Sequence, residues 1–239
     1  MLGKRYAVVS CHVERPLDAA AWSAFSRLQE RRPGGFSIAA LVRPPHEGED
    51  RGLWLERARL AATRGPLGQH THWTSPDHAR PTGGDPAARV REEAEWLRGE
   101  GLTPRFFCGG GWYIDPAVAA TLAGLGYVDC TATAFRPRYL AASAPRLGLA
   151  EPAWLRIDET RLLELPSTHS LGMAARACLG ALPPYVHVYF HDTELLDRRR
   201  AAALRAALVV LGSRCTPTDL ERLAAANGAN APEIVFPGT

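Results

Sequence analysis

The chain has 239 residues, of which 46% are hydrophobic and 22% charged, with a formal net charge of +3. This is the balance of a globular protein and excludes an intrinsically disordered chain. Its five cysteines, Cys11, Cys108, Cys130, Cys178 and Cys215, are odd in number and include no Cys-x-x-Cys pair, which excludes a disulfide framework and a cysteine zinc knuckle.

Short β-prone runs alternate with longer helical patterns, the signature of βα units around a parallel sheet. Tyr6–Val13 reads as the first strand. Pro16 and Asp18 open a helix to about Arg31, which Pro33-Gly34-Gly35 ends. Phe36–Val42 is the second strand, and a helix bearing Leu53, Leu55 and Leu60 runs to Arg64. Leu67–His72 is the third, followed by a polar loop from Trp73 to Gly84. Asp85-Pro86 caps a helix to about Gly101, and Arg105–Cys108 is the fourth strand, broken by Gly109-Gly110-Gly111. Asp115-Pro116 caps another helix to Leu125, and Tyr127–Thr131 is the fifth strand.

Residues 134–160 read as an irregular excursion over the mouth of the fold. Arg161–Leu165 is the sixth strand, Ser170–Cys178 a short helix, and Tyr185–Phe190 the seventh strand. A helix over Glu194–Leu211, a short strand at Arg214–Thr216 and a helix over Pro217–Ala225 complete the chain. The expectation is a single α/β domain spanning 1–239, a distorted (β/α) barrel of about seven strands. The apolar run Tyr6–Cys11 is too short for a signal-peptide core or a membrane span, so the expected location is the cytoplasm. Arg198-Arg199-Arg200 reads as a solvated helix face, and no nucleic-acid partner is expected.

Two short steps carry the chemistry: His12-x-Glu14 after the first strand and His70-x-His72 at the end of the third. In a strand, residues i and i+2 share a face, so each step presents two donors side by side. Together they supply three imidazoles and a carboxylate, a ligand set that suits a divalent ion such as zinc. The other polar residues at strand ends are Cys108, Asp129 and His191-Asp192, all at the same end of a parallel sheet. His187 shares a strand face with His191, and Asp129 could orient a histidine or cap a helix. Gly109-Gly110-Gly111 is followed by no Lys-Ser/Thr, which excludes a P-loop. Gly110 and Gly111 are instead expected to let the backbone approach a substrate, with Trp112 and Tyr113 as aromatic walls. A cysteine nucleophile at Cys11 or Cys108 is the weaker reading, because small buried cysteines are common in strands. Barrel-type metal phosphoesterases share the opening His step but need more histidines and acids than this chain offers.

The chain resembles the polysaccharide deacetylase family, the NodB-homology group of carbohydrate esterases. Five segments in the family's order carry the resemblance: Val8–Glu14, Gly68–Trp73, Phe107–Tyr113, Gly126–Asp129 and His187–Asp192. It implies a distorted (β/α) barrel that removes N-acyl groups, acetyl or formyl, from sugars with one divalent metal ion, zinc first. Position by position, Glu14 falls on the metal carboxylate, His70 on the first metal histidine and His191 on the general acid, with Asp192 beside it. Three positions depart from the family's pattern. His12 stands where the family has its aspartate base. Thr74 stands where the second metal histidine lies, leaving His72, or His78 in the following loop, to substitute. Cys108 stands where an arginine supports the base. His12 is therefore either the base or a fourth ligand, and Cys108 beside a neutral histidine would suit softer metals. The implied substrate is a small or carrier-linked amino sugar. The alternative is an inactive homologue that binds a carbohydrate or a protein partner.

Overall fold

Residues 5–237 are described by a computed structural model. The first strand, β1 (Tyr6–Val13), is buried along nearly its whole length, and its side chains alternate between two environments. Ala7, Val9, Cys11 and Val13 pack outward beneath helices, against Phe25, Trp54 and Leu204 among others. Val8 points the opposite way, into a second apolar cluster with Leu41, Phe106 and Tyr189. A strand covered on both faces needs apolar residues at successive positions, which is why β1 reads as a continuous apolar run.

In chain order β1 is followed by α1 (Ala19–Arg31), β2 (Ala39–Val42), α2 (Arg51–Ala62), β3 (Leu67–Thr71), α3 (Pro86–Gly99), β4 (Phe106–Gly109), α4 (Pro116–Gly124) and β5 (Val128–Asp129). Then come β6 (Ala153–Ile157), β7 (Thr160–Glu164), β8 (His169–Ser170), α5 (Leu171–Ala177), β9 (Tyr185–His191), α6 (Arg198–Arg214), β10 (Thr216–Pro217), α7 (Leu220–Asn227) and β11 (Glu233–Val235). Asp18, Asp50, Asp85, Asp115, Asp197 and Asp219 cap α1, α2, α3, α4, α6 and α7, each accepting from a backbone N–H of the first turn. An aspartate there satisfies an otherwise unpaired donor and favours the positive end of the helix dipole. No helix among the described residues is long and apolar enough to cross a membrane.

The strands form one mixed sheet in the order β11-β6-β7-β5-β4-β3-β2-β1-β9-β8, with β10 beside the start of β1. Every pairing is parallel except the β6–β7 hairpin. The expected closed ring of about seven strands is not formed as a ladder: the hydrogen-bonded path ends at β11 on one side and β8 on the other. One continuous segment, residues 160–170, nonetheless serves both sides of the parallel core. Its Glu164 pairs with Asp129 of β5, and its His169 and Ser170 pair with Val188 and Tyr189 of β9. Between them, Ser167 N–H donates to Ala132 O at 2.8 Å and Thr168 N–H donates to His187 O at 3.0 Å.

The span expected to be irregular contains β6. Its Ala153, Leu155 and Ile157 are buried while Arg156 is exposed, a period-two pattern, and the chain reverses at Asp158, whose φ of 48° is left-handed. The fifth strand is shorter than expected. Asp129 Oδ1 accepts from both the N–H and the hydroxyl of Thr131, at 3.2 and 2.7 Å, and this local turn takes the backbone off the ladder. At β3, Gly68 leaves the inner face free. A Cβ there would lie 2.2 Å from Leu41 Cδ2, so the layer beneath the site is filled by Leu41 and Phe106 instead.

Behind β5 and β7 lies a buried carboxyl pair. Asp129 and Glu164 are both fully inaccessible, and Ala132 N–H donates to Glu164 Oε1 at 3.1 Å. Their remaining oxygens, Asp129 Oδ2 and Glu164 Oε2, have no other partner. Burial, reinforced by the Asp129 charge, pushes Glu164 well above the ordinary carboxylate range, so it keeps a proton and donates it to Asp129. An acid raised on folding favours the folded state most at low pH. That contribution is lost as pH rises from the ordinary carboxylate range through the raised value. Denaturant unfolding across pH should therefore show wild type losing stability relative to Glu164→Gln as pH rises, by up to about 1.4 kcal/mol per pH unit. A pH-independent difference would rule out the shared proton.

Candidate metal centre

The inner column of β1 runs from Val8 through Ser10 and His12 to Glu14, and that of β9 through Tyr185, His187, Tyr189 and His191. Parallel pairing places His12 opposite His191 and Ser10 opposite Tyr189. Below this level the column belongs to the apolar cluster of Val8, Phe106 and Tyr185. Above it, the C-terminal ends of β1, β3, β4 and β9 open into a cavity of about 250 Å³. His12, Glu14, His70 and His191 form its polar part, and Gly111, Trp112 and Tyr139 form one side. Asp77, His78 and Arg80, from the loop after β3, complete the rim.

The carboxylate of Glu14 is the focus of the site. Its Oε1 lies 3.5 Å from His72 Nε2, 3.5 Å from His191 Nε2 and 3.8 Å from His70 Nε2. These separations exceed hydrogen-bond lengths. The other ring nitrogens explain the arrangement. His70 Nδ1 lies 2.9 Å from the Cys108 carbonyl and His72 Nδ1 lies 2.8 Å from the Pro76 carbonyl. A carbonyl only accepts, so both Nδ1 atoms donate, and each ring turns its Nε2 toward Glu14. Two imidazole nitrogens and a carboxylate oxygen thus face one another at 3.5–3.8 Å, each a potential metal ligand. His72 Nε2 is buried without any hydrogen-bond partner. The donor set of Glu14, His70 and His72 therefore fits a divalent ion.

The electrostatics separate the histidines. Burial holds His70 down to about 4, and burial with the neighbouring His70 and His191 holds His12 far below the usual imidazole range. Both are neutral at pH 7. His191 moves the other way: although burial opposes its charge, Glu194, Glu14 and Asp192 raise it. Glu194 Oε2 sits 3.5 Å from His191 Nδ1 and accepts from the His191 backbone N–H at 3.0 Å. Burial disfavours the Glu14 carboxylate, but His70, His72 and His191 outweigh it and hold Glu14 far below its ordinary range. Two imidazoles with opposite shifts, His12 and His191, thus stand edge to face at 5.2 Å.

The remaining sequence candidates are distributed around this centre. Asp192 does not line the cavity; its carboxylate accepts from the backbone N–H groups of Glu14, Arg15 and Thr193 at 3.2, 3.0 and 2.9 Å. It clamps the end of β1 to β9. His187 lies deeper, with its Nε2 2.9 Å from Ser10 Oγ. Asp129 holds Thr131 and Glu164 and orients no histidine. Gly111 and Trp112 line the cavity, whereas the Gly110 carbonyl accepts from Trp73 Nε1 at 3.0 Å and Tyr113 bonds Asp115 at 2.6 Å. Gly111 and Trp112 both have φ of 61°. For tryptophan that is a strained conformation, and it turns the indole inward so that Nε1 donates to Tyr139 OH at 3.1 Å. Sequence reasoning missed Tyr139 and Glu194. Only Glu194 left a signal, standing three residues after His191.

No family model matches the chain, and no curated protein matches its sequence. Solved structures do share its fold. A 4-alpha-glucanotransferase from Thermococcus litoralis superposes with a TM-score of 0.61 at 11% identity, over 98% of this chain but 40% of that protein. The chain thus spans less than half the length of that enzyme. A family 4 acetyl xylan esterase from Clostridium thermocellum, solved in complex with a cobalt ion, gives 0.56 at 13% identity over 94% and 92% of the two chains. A putative polysaccharide deacetylase involved in O-antigen biosynthesis, from Bordetella bronchiseptica, gives 0.52 at 14% identity over 90% and 92%. The fold is deacetylase-like. At these identities the likeness concerns the fold alone.

The Asp192 clamp has a measurable consequence. Asp192→Ala leaves three N–H groups at the β1–β9 junction without their acceptor, and urea unfolding should show a loss of about 1–3 kcal/mol. An unchanged midpoint would mean that the clamp does not secure the end of β1.

Proposed function

We propose that this protein is a metal-dependent hydrolase that removes an N-acyl group, acetyl or formyl, from an amino sugar or a carrier-linked sugar. The observation that carries this reading is the convergence of the Nε2 atoms of His70 and His72 on the Glu14 carboxylate, with both Nδ1 atoms tied to backbone carbonyls. Glu14, His70 and His72 would hold the ion, and zinc suits two imidazoles and a carboxylate. When bound, the ion supplies Lewis-acid polarisation of the acyl carbonyl and lowers the pKa of water.

The protein's own groups supply the proton transfers. Neutral His12, whose Nε2 is buried and unpartnered, accepts a proton from the attacking water. His191, whose hold on a proton Glu194 and Glu14 strengthen, donates one from Nε2 to the departing amine. Trp112 and Tyr139 wall one side of the cavity, where a sugar ring would pack. Glycoside chemistry of the kind named for the glucanotransferase neighbour is less well supported. It needs two carboxyl groups flanking the scissile bond, whereas the cavity floor carries Glu14 alone and Asp77 stands on the rim, 85% exposed and facing Arg15.

The test is acyl release from a panel of N-acetyl and N-formyl amino sugars. Activity should vanish on chelation, return with zinc or cobalt, and fall about 10²–10⁴-fold in His191→Ala. Activity that survives His191→Ala refutes the general-acid role. In parallel, zinc at about 100 times its Kd should raise unfolding stability by about 2.7 kcal/mol in wild type and not in Glu14→Gln. Equal stabilisation of the two proteins would refute Glu14 as a ligand.

A further inference from the structure

A second donor set lies one layer beneath the first. His12, His70 and Cys108 bring one ligand atom each to within 4.8 Å of one another. Tetrahedral coordination at ordinary zinc–nitrogen and zinc–sulfur lengths sets donors about 3.5 Å apart, so small side-chain rotations close the set. All three residues are buried, Cys108 completely and His12 and His70 at 2% exposure. The Cys108 thiol is free; it makes a long 3.9 Å approach to its neighbour's carbonyl, Gly109 O, and has the Thr131 side chain beside it.

A buried cysteine alone would carry nothing, but His12 is an independent observation. Its ring is held between His70, stacked at 4.4 Å, and Tyr189, stacked at 5.3 Å. It lines the cavity, and its Nε2 has no hydrogen-bond partner. A buried, desolvated nitrogen without a partner is costly unless something binds it. His70 is common to both sets. Because its Nδ1 is committed to the Cys108 carbonyl, only Nε2 is free, and one Nε2 serves one ion at a time.

We propose that the cavity offers two mutually exclusive positions for a single ion, an outer one on Glu14, His70 and His72 and an inner one on His12, His70 and Cys108, with thiophilic ions taking the inner position. Ligand softness divides them: a carboxylate and two imidazoles suit borderline and harder ions, whereas a thiolate selects soft ones. Inner binding releases the Cys108 thiol proton to solvent as the metal–sulfur bond forms. It also turns His12 from a free proton acceptor into a ligand. The inner position therefore holds metal without supporting the hydrolysis proposed above. The inference deepens that reading but depends on different side chains.

Cadmium and cobalt titrated separately into the full-length chain distinguish the two. Cadmium should produce near-ultraviolet thiolate-to-metal absorption that saturates at one equivalent. That band should be lost in Cys108→Ser and His12→Gln and kept in Glu14→Gln. Cobalt should give visible ligand-field bands that survive Cys108→Ser and are lost in Glu14→Gln. No cadmium band in wild type overturns the inner position, as does a band that persists in Cys108→Ser or Cys108→Ala, while leaving the Glu14 site standing. A Cys108-dependent cadmium band without any cobalt binding supports the inner position and overturns the hydrolase reading.

Discussion

The register between β1 and β9 is the constraint from which the site follows. With His12 opposite His191, alternation sends Ser10, His12 and Glu14 inward and leaves Val9, Cys11 and Val13 beneath the helices. A slip of one residue would exchange the two sets. It would bury Glu14 against α1 and α6 and point valines into the cavity. The slip is opposed from both sides: the outer layer needs apolar side chains at every second position, and Asp192 ties the backbone of Glu14 and Arg15 directly to the end of β9.

Given that register, the electrostatics are set by how each ring is anchored. Backbone carbonyls fix His70 and His72 as Nδ1 donors, and burial keeps His70 neutral. His191 is anchored instead by a carboxylate, Glu194, which favours its cation. Imidazoles of one chemical type are thus set differently toward the cavity according to whether a carbonyl or a carboxylate stands behind them. Glu14 answers to both kinds, which is why it stays ionised despite its burial.

Much of this centre is legible in the sequence because period two is a strong rule. His12-x-Glu14 and His70-x-His72 share faces by alternation, and parallel βα order puts the strand ends together. What alternation does not encode is what lies beyond the first contact. Asp192 looks like a partner of His191 but turns to backbone N–H groups. Asp129 ends a strand, as a site residue would, yet sits on the outer face with Glu164. Tyr139 and Arg80 reach the cavity from loops, where no periodicity marks them. The β6–β7 hairpin was readable from the alternation of Ala153, Leu155 and Ile157, but Trp154 and Arg156 between them obscure it. Residues 160–170 change partners midway, from β5 to β9, and single-strand patterns carry no record of that.

That change of partners also bears on the order of folding. The contact between Ser10 and His187 joins residues 177 positions apart, and loop closure over such distances is slow. Strands β1 to β5 can pair with near neighbours as the chain emerges from the ribosome. One flank of β1 then stays open until β9 arrives, and β9 is itself held by the far end of the 160–170 segment. Glu14, His70 and His72 all precede that point in the chain, whereas His191 follows it. Synthesis therefore delivers Glu14, His70 and His72 first and His191 last, so the cavity is complete only after β9 has docked.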